Sequence, residues 1–243
     1  MLPTPIIERP VSLLVYGSSL ATVNLTLYAL AEAANPEFLW INVLGRNEPP
    51  NIADPAILGW VPRDRLLTFE ESEATKVGRP VTPAGISNLI AQDEPVRDLS
   101  RLIAFLRLPD PTQCYLATEP AGGKPGLVAV PNTHRVASAW ADAKVEPILE
   151  AHLHAGYSLF VGYSEVVGDH RRPVGPGRGA FDYVFRVTGD GLHTWKESRL
   201  VCERGIPEAA FQTGSEFPLA NLPFVASVFH RALSEPRAGM PRP

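Results

Sequence analysis

Residues 11–16 form a short, almost wholly apolar run between Pro10 and Gly17. That is the pattern of a strand buried on both faces. Gly17-Ser18-Ser19 then reads as a turn with two potential helix N-caps. Counted from Val23, apolar residues recur at offsets 4, 7, 8 and 11, through Leu27, Leu30, Ala31 and Ala34. This is one face of a helix, and Asn35-Pro36 stops it. Residues 38–44 are a second strand ending at Gly45, which completes a βαβ unit.

Residues 65–69 predict a short strand, and the polar stretch 70–98 a helix fragment with a loop. Leu99, Leu102, Ile103 and Leu106 mark another helical face, closed by Pro109. Residues 126–130 are a strand stopped by Pro131, and Val145, Ile148, Leu149, His152 and Leu153 form a helical stripe with Gly156 as its C-cap. Residues 157–163 are a further strand. Residues 181–187 and 194–202 predict a hairpin around Gly189-Asp190-Gly191. Phe224, Val225, Val228, Phe229 and Ala232 predict a closing helix. Strands alternating with helices, then a hairpin, imply an α/β fold: a mostly parallel sheet flanked by helices, with an antiparallel edge. We read residues 1–243 as one domain.

Apolar residues make up 45% of the 243, enough for a large core, and the net charge of −4 argues against a dedicated nucleic-acid binder. Proline, 25 of 243, is spread along the chain and so stiffens loops without building a low-complexity segment. Cys114 and Cys202 lack metal-type neighbours and read as reduced thiols. Neither a signal peptide nor a membrane span is indicated, and the expected location is the cytoplasm.

The turn after the first strand is where a phosphate loop would lie. That motif reads G-x-x-x-x-G-K followed by Ser or Thr. Here the slots hold Gly17, then Ser18-Ser19-Leu20-Ala21, then Thr22, Val23 and Asn24. Only the first glycine is present. Without the second glycine the backbone cannot approach a phosphate closely, and without lysine its charge is not offset. An ordinary strand-to-helix turn is the favoured reading. A vestigial phosphate loop made of Gly17, Ser18, Ser19 and Thr22 is the alternative.

Four segments in order resemble the RecA superfamily and its KaiC-like branch. VSLLVYGSSLATVNLTLYALAEAA stands at the Walker A position, and GLVAVPNTHRVASAW is similar to the Walker B strand and its continuation. VEPILEAHLHAGYSLFVGYSE is like the following helix and sensor strand, and FDYVFRVTGDGLHTWKESRLVCERG like the closing hairpin. The resemblance implies a RecA-like three-layer domain. In the family an acidic residue ends the Walker B strand and holds magnesium through water; Pro131 or Asn132 takes that slot here. The catalytic glutamate after the second strand is replaced by Val43-Leu44-Gly45-Arg46. Both nucleotide motifs have lost their chemistry, as in a pseudo-ATPase, so no cofactor and no metal is expected.

The loop 168–179 lies where RecA-like proteins carry a mobile central loop. Arg171, Arg172 and Arg178 make it a cationic patch, either solvated or in contact with an acidic partner or nucleic acid. No aromatic residue interleaves it, so base stacking is not indicated. His152 and His154 point to different sides of a helix and do not pair on a metal; His134 and His193 have no evident partners. Glu70, Glu71 and Glu73 read as a solvated face. Gly17-Ser18-Ser19 lacks the second glycine of a nucleophile elbow. The leading expectation is a catalytically inactive RecA/KaiC-like scaffold or regulatory subunit that binds copies of itself or a related RecA-like subunit. The alternatives are a divergent ATPase or Rossmann-type enzyme, and a nucleic-acid accessory protein using the basic loop.

Overall fold

Apolar runs become central strands where both of their faces are covered, and the first run does so here. In the computed structural model, the described residues are 9–44, 55, 58–62, 65–70, 96–98, 126–131, 153–154, 156–165, 178–189, 197–205 and 211–234. Among them nine strands make one sheet: β1 (Ser12–Gly17), β2 (Leu39–Leu44), β3 (Leu66–Glu70), β4 (Val96–Asp98), β5 (Gly126–Val130), β6 (Tyr157–Ser164), β7 (Tyr183–Thr188), β8 (Arg199–Arg204) and β9 (Glu216–Pro218). Their order is β4-β3-β2-β5-β6-β1-β7-β8-β9. Every pairing from β4 to β7 is parallel; β8 and β9 add antiparallel at one edge. The fold is α/β, as the alternation predicts. All residues of β1 and β6 are buried, so both faces of the sheet centre are covered.

Two helices share one of those faces. α1 (Leu20–Ala34) and α2 (Leu222–Ser234) pack with Leu13 and Val15 of β1, and with Phe185 and Val187 of β7, in one core. The predicted stripe of α1 is its buried face: Val23, Leu27, Leu30, Ala31 and Ala34. His230 Nδ1 of α2 donates to the Ala33 carbonyl at 2.6 Å, which ties the two helices. Phe229 lies edge-on to Phe160, Tyr183, Phe185 and Phe211, with ring centroids 5.3–6.0 Å apart. Such pairs contribute about 0.5–1.5 kcal/mol each beyond their burial.

Several expectations need correction. Phe224, assigned to the apolar stripe of the last helix, is 60% exposed, while Val225 and Phe229 are buried. The hairpin's second strand starts at Arg199 and not at residue 194, so its connection is longer than an Asp-Gly turn. β4 and β9 have no counterpart in the sequence reading. Each has three residues at a sheet edge and no apolar run. Pro218 ends β9, a position an edge strand tolerates. The predicted helix over 99–106 lies outside the described residues. So does the one ending at Leu153, apart from a helical turn at Leu153 and His154, whose side chain is exposed.

Candidate functional site

In open α/β sheets, ligands bind beyond the carboxyl ends of the strands where the winding reverses. Here β1 leads away across β6 and β5 to β2, whereas the chain leaving β6 crosses β1 to reach β7. The crevice is therefore at the ends of β1 and β6, where the sequence motifs converge.

The turn from β1 to α1 contains Ser18 and Ser19 alone. Ser19 is the N-cap, and its Oγ accepts from the Thr22 amide at 3.5 Å. Thr22 is fully buried in the first helical turn and donates to the Ser19 carbonyl at 3.0 Å. Ser18 Oγ donates to the Gly189 carbonyl at 2.9 Å. Ser164 Oγ donates to the Ser18 carbonyl at 3.5 Å, and the Glu165 amide to that of Gly17 at 2.9 Å. Each candidate residue of this turn thus carries an internal bond. Gly17 also has a packing reason to be glycine: a Cβ there would stand 2.4 Å from the Val187 carbonyl oxygen.

Val23, expected in the lysine slot, and Pro131, one of the two residues expected in the acidic slot, lie close together. Val23 Cγ1, Leu27 Cδ2 and Pro131 Cα all lie within 3.4 Å of the point a Cβ on Gly162 would occupy. Val23, Leu27 and Pro131 are buried. A glycine on β6 lets α1 and the end of β5 close on the sheet, and apolar packing fills the space between the two slots. Asn132 lies outside the described residues.

A second cluster lies on the opposite face of β1, at Tyr16. Its hydroxyl donates to Glu203 Oε2 at 2.5 Å. Arg186 Nε lies 3.3 Å from Glu203 Oε1, and Arg178 Nη1 3.6 Å from Oε2. Arg178 Nη2 donates to Glu165 Oε1 at 3.2 Å, and its guanidinium sits 4.1 Å from the centroid of the Tyr16 ring. Burial, then the bond to Glu203, pushes the Tyr16 phenol well above its ordinary value, with Arg178 opposing. Burial, then Glu165, raises that of Tyr163. Two guanidiniums face two carboxylates, so the cluster is charge-balanced. Sequence reasoning missed Tyr16, Arg186 and Glu203. Tyr16, a polar-tipped residue ending an apolar strand, was the signal available.

Arg178, expected in a solvated or contact loop, is engaged within the fold; Arg171 and Arg172 lie outside the described residues, as do His134, His152, His193, Cys114, Glu71 and Glu73. Cys202 is a buried free thiol, and burial pushes it up to about 11. Among the described residues no three His, Cys, Asp or Glu side chains group as metal ligands, and no helix is long and apolar enough to cross a membrane. No protein-family model matches the chain, and no curated protein does.

Proposed function

We propose that the chain is a catalytically inactive RecA/KaiC-like three-layer domain that works by binding other protein subunits, its own copies or a related RecA-like chain. One observation carries this reading: Val23, in the slot of the phosphate-binding lysine, and Pro131, which with Asn132 is one of the two residues that can take the slot of the metal-holding acid, both lie within 3.4 Å of the point a Cβ on Gly162 would occupy. A cation and a carboxylate there would offset a nucleotide's phosphates and their magnesium; two apolar side chains cannot. The short turn adds support. Residues 20 and 21, which belong to the loop part of the phosphate-loop motif, are already the start of α1. Three of the four segments that carry the resemblance contain β1, β5 and β6, which are side by side in the sheet, and the fourth contains the β7–β8 pair.

Titration calorimetry with ATP and magnesium tests it. No heat of binding is expected at millimolar nucleotide. A micromolar Kd that Gly162→Leu abolishes while the fold survives would overturn the proposal and favour a divergent ATPase. Among the alternatives, a nucleic-acid role is weakened by the net charge of −4.

A further inference from the structure

The β7–β8 ladder slips at one place. Phe185 pairs with Cys202 and Val184 with Arg204, which leaves Glu203 as the extra residue of a bulge. Bulges re-aim side chains. Here the bulge sets one carboxylate against three donors: Tyr16, Arg178 and Arg186. Arg178 opens the 3-10 turn Arg178–Ala180 that leads into β7. From there it reaches Glu165 just beyond β6, lies over Tyr16 of β1 and meets Glu203 of β8. One side chain therefore spans four adjacent strands. The next carbonyl, that of Gly179, accepts from Arg204. Below the turn, Asp182 closes a reciprocal pair with Ser12: the Ser12 amide donates to Asp182 Oδ2 at 2.9 Å, and the Asp182 amide to Ser12 Oγ at 3.0 Å.

We infer that Arg178 is an ionic latch that clips the entry of β7 onto the end of β1 and opens without unfolding the sheet. Its side chain is 56% exposed, and those of Glu165 and Glu203 are 38% and 28% exposed. Ion pairs open to solvent to this degree are weak and screened by salt. Tyr16 beneath is buried, so its contacts to β1 neighbours hold the sheet whether or not the guanidinium is in place. Ser12 and Asp182 keep the start of β7 paired in either state. The latch accordingly responds to ionic strength, and to any anion that captures the guanidinium in place of Glu165 and Glu203.

Hydrogen exchange of the amides of residues 179–181 tests this in the full chain. Screening shrinks from about 30 Å at about 0.01 M salt to about 3 Å at about 1 M. In the wild type these amides are expected to exchange several-fold faster at the higher salt, with β1 and β6 amides unchanged. Arg178→Ala should exchange fast at both salts. Arg178→Lys, a point charge that cannot fork to two carboxylates, should lie between. Glu165→Gln, which leaves the Glu203 hub in place, should reproduce part of the effect and serves if Arg178→Ala does not fold. Salt-independent exchange in the wild type, or Arg178→Ala exchanging at the wild-type rate, would overturn the latch.

Discussion

At the residue scale, Gly17 separates two explanations that the sequence leaves open. It is the one glycine kept from the phosphate-loop pattern, yet the Val187 carbonyl stands where its side chain would go. Gly17→Ala is expected to destabilise the protein by about 1–3 kcal/mol, the range for overpacking. Urea unfolding measures it, and no added nucleotide should change the loss. Tyr28 and Cys202 give a second prediction at this scale. Burial, then the charge of Glu32, pushes the Tyr28 phenol up to about 12 from 10, and burial pushes Cys202 up to about 11 from 9. Both groups are raised acids, so the fold favours their neutral forms. The unfolded chain releases these protons first as pH rises. Stability is therefore complete below about pH 9 and falls from there towards about pH 12. Urea midpoints across that range should show the decline. Tyr28→Phe should flatten its part above about pH 10, since the donor to Glu32 and to the Trp60 carbonyl is gone.

At the element scale, α2 has one strongly held residue and one that is nearly idle. Phe229 is buried against four aromatic rings, so Phe229→Ala should cost about 3–5 kcal/mol. Phe224 is exposed, and Phe224→Ala should change stability by no more than about 0.5 kcal/mol. Calorimetric melting of the two variants compares them directly. From sequence these residues looked equivalent, because a stripe of five positions does not say which member faces the core. Elements buried on both faces were legible for the opposite reason. β1, β5 and β6 can only be apolar runs, and α1 had its buried face marked by spacing. β4 and β9 were illegible because three-residue ladders at an edge make no demand on side-chain pattern. The bulge at Glu203 was hidden as well, since the strand read over residues 194–202 is uninterrupted and stops before it. With it was hidden the cluster at Tyr16, whose members come from four separate stretches of chain.

At the scale of the whole molecule, the exposed apolar side chains bear on assembly. Trp60 is 50% and Leu58 43% exposed, beside Tyr28, whose ring centroid is 5.6 Å from that of Trp60. Adjacent large apolar groups in water favour contact with another surface. Light scattering is expected to find a dimer or larger species, and Trp60→Ser should shift it towards the 26.4 kDa monomer. A wild-type monomer at high concentration would remove self-association from the reading of this protein.

The register of β1 has a consequence for how the chain comes into being. Ser12 pairs with Leu159 and Leu13 with Tyr183, so the strand at the middle of the sheet is synthesised early and both its neighbours late. A ribosome adding about 5–20 residues per second leaves β1 with two bare edges for roughly ten to thirty seconds. During that time α1 has no floor to pack on, and contacts this distant in sequence form slowly. The nascent chain should therefore depend on holding factors until β7 emerges. On stalled ribosomes, thermolysin should cut within residues 12–17 when only residues up to 156 have emerged, and should fail to cut there once the chain is exposed through residue 205.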